Sequence, residues 1–175
     1  MPGARGAGPG LTGLYLASVT VHLLAAMLWL GGMFFLAAVG APVLRRVEPP
    51  ALRADLFRRV GARFRAVGWF AIGLLLATGV LNLKLRGLLD ADILFDAAFW
   101  GRPYGRMLGW KLVLVAAMVA LSAVHDFVIG PRASRLAPGS PEALAARRRA
   151  AWLARINAAL GVALVAVAVR LARGG

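Results

Sequence analysis

The sequence has no cysteine, so disulfides and thiolate metal sites are excluded. Acidic residues are scarce: 7 Asp and Glu stand against 21 Lys and Arg. The few carboxylates form no pair at a catalytic spacing, and the chain carries neither a hydrolytic triad nor a phosphate-cradling glycine loop. Lysine is rare as well; only Lys84 and Lys111 among the basic residues are not arginine. No stretch alternates strictly between apolar and polar, which excludes the strands of an outer-membrane barrel.

What remains is apolar. The 175 residues are 61% hydrophobic, with a mean hydropathy of +0.75. A chain this small and this oily reads as an integral membrane protein. A helix needs about 20 apolar residues to cross the hydrocarbon core, and four segments qualify: 12–40, 67–86, 107–130 and 151–171. Only Arg5 precedes the first, and its apolar run is longer than the core of a removable signal peptide, so it is expected to be a retained span. Short connections make neighbouring helices antiparallel. The expected fold is all-α, an integral-membrane up-down four-helix bundle in a single domain.

The net charge is +14. In a soluble protein that would suggest nucleic acid. Here the arginines cluster between the spans, so no nucleic acid is expected and orientation is the better explanation. Arg45, Arg46, Arg53, Arg58, Arg59, Arg63 and Arg65 follow the first span. Arg132, Arg135, Arg147, Arg148 and Arg149 follow the third. The other ends hold Arg5, Lys84, Arg86, Arg102, Arg106, Arg170 and Arg173 together with Asp90, Asp92 and Asp96. Twelve basic residues against seven place the arginine-rich loops in the cytoplasm and both termini outside a bacterial inner membrane.

Residues 1–10, rich in Gly and Pro, are expected to be disordered. Between the first two spans, Leu52, Leu56, Val60 and Phe64 recur every four residues with arginines between them. That pattern predicts an amphipathic interfacial helix over 51–66 on the anionic inner leaflet. The outer loop 87–105 is long and aromatic, and Phe95, Phe99, Trp100 and Tyr104 suit a re-entrant or interfacial segment. The fourth helix is predicted to start with Ser140 as N-cap, Pro141 in the first helical position and Glu142 in the first turn.

Polar groups at membrane depth cost a few kcal/mol unless satisfied, which makes them informative. Counted at about 1.5 Å per residue from the inner-face arginines, His22, Lys111 and Asn82 lie at roughly 34, 31 and 25 Å, an outer layer. His125 and Asn157 lie at roughly 10–12 Å, an inner layer shared with Asp126 and Arg155, which pair as ions in the simplest reading. Faces agree with layers. Lys111, Val115, Met118, Ser122 and His125 share one stripe; so do His22, Ala25, Trp29 and Gly32; so do Leu75, Thr78 and Asn82. Each residue also has a plainer role: a hydrogen-bonded interfacial histidine, a snorkelling lysine, methionine and tryptophan as core filler. The functional role is coordination, since neutral imidazole binds both haem iron and copper. His22 and His125 differ in depth by roughly 24 Å and do not share one iron.

The segments "VHLLAAMLWLGGMFFLAAV", "ARFRAVGWFAIGLLLATGVLNL" and "RPYGRMLGWKLVLVAAMVALSAVHDF" resemble, in order, helices of the CopD-like (copper resistance D) membrane family. The shared pattern is His before Trp-Leu-Gly-Gly, then Thr-Gly-x-x-Asn, then Tyr-Gly-x-x-Leu-x-x-Lys-Leu. The same positions are similar to the HemJ-like haem-binding membrane proteins, which oxidise a porphyrinogen. Either resemblance implies His22 and Lys111 as the functional residues, and the second adds His125. The chain departs from both: "AAVGAPVLRR" replaces the Pro-Arg-Leu of HemJ-like proteins, and the extra helices and richer Met/His content of full-length copper transporters are missing.

The leading expectation is a membrane protein binding haem b, or a copper ion, in the outer half of the bundle and serving redox or metal handling. If it is an enzyme, it is an oxidoreductase. His22 is the expected axial ligand, Lys111 a second ligand or anion partner, Asn82 a supporting hydrogen bonder and Trp29 a wall. Copper transport or resistance is the alternative, with His22, Met27, Met118 and His125 as metal ligands and Met33 as a further soft step. A third is a cofactor-free accessory subunit of a larger membrane complex, docked through 87–105; a membrane-protein partner or a homo-oligomer is the expected assembly.

Overall fold

A computed structural model describes residues 9–134, 136 and 140–174. The described residues are helical, with turns between the helices and no strand. Helix α1 spans Pro9–Phe35 and passes through a π-helical turn, Leu36–Gly40, into the short α2, Ala41–Leu44. Helix α3 runs Pro50–Leu85. Two short helices follow, α4 (Ala91–Leu94) and α5 (Ala97–Gly101). Helix α6, Pro103–Ala123, passes through a second π-helical turn, Val124–Ile129, into α7, Gly130–Ser134. Helix α8 covers Pro141–Ala172.

Among the described residues, four continuous helical stretches are long and apolar enough to cross a membrane: Gly10–Leu44, Pro50–Leu85, Pro103–Arg132 and Pro141–Ala172. They contain the predicted spans 12–40, 107–130 and 151–171 and extend beyond each; the second begins well before residue 67 and ends at Leu85, one residue short of the predicted 86. Their outward faces are those of a protein dissolved in lipid. Leu24, Phe70 and Trp152 are 60%, 66% and 63% exposed, and most side chains along each stretch are at least partly exposed. Such faces are stable against acyl chains, which are as apolar as the side chains themselves. The protein is an all-helical integral membrane protein in contact with the bilayer.

The ends of the long helices follow local chemistry. Pro103 and Pro141 sit in the first turns of α6 and α8, where a missing N–H costs nothing. Ser140 caps α8 as predicted, its Oγ accepting from the Ala143 N–H at 3.1 Å; such a cap contributes about 1 kcal/mol. Helix α3 closes in a Schellman turn. Gly87 takes a positive φ of 68°, its N–H donates to the Lys84 carbonyl at 2.9 Å, and the Leu88 N–H donates to the Leu83 carbonyl at 2.9 Å.

Two expectations change in form. The amphipathic stretch 51–66 is not a helix of its own; it is the first part of α3, which runs unbroken to Leu85. No proline follows Pro50 in this stretch, so nothing removes a backbone hydrogen bond and the helix continues. Asp55 pairs there with Arg59 (Nε to Oδ2, 2.6 Å) and with Arg58. The loop 87–105 is largely helical, through α4, α5 and the start of α6. Residues 1–8 of the expected disordered segment, with Arg5, lie outside the described residues, as does Arg135; Pro9 and Gly10 already belong to α1.

The chain divides into two compact units. The first joins Met1–Gly32 to Ala66–Asp96. The second joins Met33–Arg65 to Ala97–Gly175. In the first, α1 and α3 meet along two seams. Ser18, Ala25 and Trp29 are buried on α1; Gly68, Ala71, Ile72 and Thr78 are buried on α3. In the second, Gly105, Leu108, Met118 and Ser122 form the buried seam of α6, and Ala143, Asn157 and Leu171 that of α8. Spacings of about one helical turn, or near multiples of it, recur along each seam, as on one helical face.

Candidate functional site

In the first unit, His22 meets the motif Thr78-Gly79-Val80-Leu81-Asn82. His22 Nδ1 lies 2.8 Å from Thr78 Oγ1. The Thr78 hydroxyl donates to the Leu74 carbonyl of its own helix at 2.5 Å. A hydroxyl has one proton to give, so Thr78 accepts from His22 and Nδ1 carries the proton. In the neutral ring Nε2 is then the basic nitrogen. The imidazole lies against α3 at Gly79, where a Cβ would sit 3.6 Å from His22 Cε1, an ordinary contact. Further along, a Cβ at Gly68 would sit 3.7 Å from Trp29 Cδ1. Contacts that ascend α1 from His22 to Trp29 descend α3 from Gly79 to Gly68, so the two segments run antiparallel within this unit.

Antiparallel pairing sets Ser18, one turn before His22, level with Asn82, one turn after Thr78. Ser18 is 5% exposed, and both its Oγ and Asn82 Oδ1 are buried without a hydrogen-bond partner. Each such group costs about 1–3 kcal/mol, and in a native structure each needs an explanation. Depth counting puts Asn82 in the same outer layer as His22. Ser18 escaped the sequence reading, although its place one turn before His22 on the same face was available to find it.

In the second unit, α6 and α8 face one another across a buried polar contact. Asn157, 5% exposed, donates through Nδ2 to Ser122 Oγ at 3.0 Å and reaches Met33 Sδ at 3.6 Å. Asn157 Oδ1 is buried and has no hydrogen-bond partner. Met118, one turn before Ser122, is fully buried. Beyond Ser122 the helix widens into its π turn. There His125 Nδ1 lies 2.9 Å from Asp126 Oδ1, and the Asp126 carbonyl accepts from Arg65 at 3.3 Å. A π turn holds one residue more than α geometry, and such turns are frequent at functional sites. The expected Asp126–Arg155 pair does not form among the described residues: Arg155 is exposed, and His125 takes its place beside the Asp126 carboxylate.

Trp29 is buried at 6% exposure in the α1–α3 seam. Lys111 is half-buried on α6, in the second unit, while His22 belongs to the first. Met27 is 69% exposed, on the face of α1 turned away from the His22 seam. Among the described residues no group of three His, Cys, Asp or Glu converges to hold a metal ion. The donors that do gather are neutral: thioether, imidazole, hydroxyl and amide.

The family model of copper resistance protein D matches residues 58–171. The chain belongs to the copper resistance D family. The match takes in Thr78, Asn82, Lys111, Met118, His125 and Asn157, and begins after α1, so His22 and Trp29 stand before it. The chain is also similar to an uncharacterised protein of Aquifex aeolicus (strain VF5), 32% identical over 155 residues, covering 88% of this chain and 92% of that one. No solved structure matches. The family description names copper, not haem, and the copper alternative is the one it favours.

Proposed function

We propose that this member of the copper resistance D family handles copper within the bacterial inner membrane, with the ion as cargo and His22 as its ligand in the first unit. The observation that carries the reading is the hydrogen bond from His22 to Thr78. It fixes the ring so that Nε2 is basic, the form in which an imidazole coordinates a metal, and it orients the ring as outer-shell partners do at metal sites. The family description supports copper as the cargo. Trp29 is the wall of this site, and Asn82 and Ser18 bring two buried oxygens without partners to the level beside His22. The arginine-rich segments 45–65 and 132–149 face the cytoplasm in this reading, and the start of α3 projects past the inner leaflet, with its arginines at the anionic surface.

Anaerobic competition for Cu(I) against a chromophoric chelator tests the proposal on purified protein. His22→Ala is expected to abolish the site. Thr78→Val is expected to weaken it about 10–100-fold, the usual effect of losing an outer-shell partner, while Thr78→Ser keeps most of it. Unchanged Cu(I) affinity in His22→Ala would sink the reading. Because the same Nε2 also suits haem b, an absorption spectrum belongs to the test: a Soret band lost in His22→Ala would replace copper with haem.

A further inference from the structure

The contact among Met33, Ser122 and Asn157 is absorbed neither by the His22 site nor by simple packing. Asn157 is 5% exposed, and its Oδ1 has no hydrogen-bond partner. Its Nδ2 reaches Met33 Sδ at 3.6 Å and Ser122 Oγ at 3.0 Å. A thioether sulfur that accepts one hydrogen bond keeps a second lone pair, so the contact orients Met33 without using up its donor capacity. Met118, fully buried one turn from Ser122, supplies a second thioether on the same seam. All of these donors are neutral. Hard divalent ions select carboxylates and water, whereas thioethers select soft ions.

The backbone marks the same place. Met33 lies three residues before the π turn Leu36–Gly40, and Ser122 two residues before the π turn Val124–Ile129. The second turn carries His125, whose Nδ1 faces the Asp126 carboxylate. With that nitrogen donating, Nε2 is the basic one, and the side chain is 39% exposed. It sits seven residues from Met118 on the same face, roughly 10 Å along the helix.

We propose that Met33, Met118 and Asn157 Oδ1 form an internal binding site for a soft monovalent cation, with His125 as the exchange ligand at its open end. The identity of the ion, Cu(I), rests on the copper reading above; the site itself does not depend on His22. The test is a titration of the full-length protein in detergent with Cu(I), and with Ag(I) as a redox-inert probe, together with X-ray absorption at the metal edge. Wild type is expected to bind two equivalents, with sulfur in the first shell of one. The double variant Met33→Leu/Met118→Leu, which conserves volume, is expected to bind one equivalent and lose the sulfur signal. His125→Ala is expected to keep the stoichiometry and slow metal exchange about tenfold or more.

If the methionine variant still binds as wild type does, or if wild type shows no sulfur ligand, the inference fails while the His22 reading stands. If the methionine-dependent equivalent persists in His22→Ala and no other was present, the His22 reading fails and the inference stands. No binding at all overturns both. The absorption measurement on wild type decides even where a variant folds poorly.

Discussion

At the scale of single residues, the geometry assigns protons. Thr78 is the group on which the first site turns, because its hydroxyl is already committed to the Leu74 carbonyl and therefore receives from His22. A valine in its place keeps the shape and removes the acceptor, which is why Thr78→Val and Thr78→Ser are expected to separate in Cu(I) affinity. Gly105 is decisive in a different way. A Cβ there would stand 2.1 Å from the Phe99 carbonyl oxygen, and backbone cannot move aside cheaply. The Tyr-Gly pair at 104–105 thus has a steric cause: α5 lies against the first turn of α6, where Phe99 also packs edge-on to Trp100 with centroids 5.2 Å apart. Gly105→Ala is expected to destabilise the protein by about 1–3 kcal/mol, read as a lower melting temperature in detergent, with Cu(I) stoichiometry unchanged in the fraction that folds.

At the scale of elements, the parts legible in the sequence are those set by local chemistry. The four spans follow from apolar length, and the start of α8 from Ser140, Pro141 and Glu142. The stripes follow from helical spacing: Met118 and Ser122 are buried, and His22 and Trp29 lie on one seam. What escaped needs a partner to be seen. Spacing gives the face of His22, but not that Thr78 would accept its proton. Depth placed Asp126 and Arg155 together, but the π turn brings His125 to the carboxylate instead. Met27 and Met33 look alike in composition; only the packing turns one outward and the other toward Asn157. The junction within α3 shows no break because no proline or paired glycine interrupts it.

At the scale of the whole molecule, the absence of cysteine becomes an experimental advantage. A single introduced thiol is the only one in the chain, so an impermeant maleimide reads its side of the membrane without background. Ala91 and Ala62 are both exposed positions. With the arginine-rich segments inside, Ala91→Cys is expected to label in intact cells, and Ala62→Cys only after lysis. The reverse pattern inverts the orientation and assigns the outer and inner layers to the opposite leaflets.

The two π turns have a consequence for how chains of this family are compared. Each is the footprint of one inserted residue in an otherwise α-helical frame. A member lacking the insertion would have its helix rotated by about 100° beyond that point, presenting different side chains to the same neighbours. Gaps of a single residue within 36–40 or 124–129, easily dismissed as alignment noise, would then divide the family by the architecture of its inner site rather than by overall likeness.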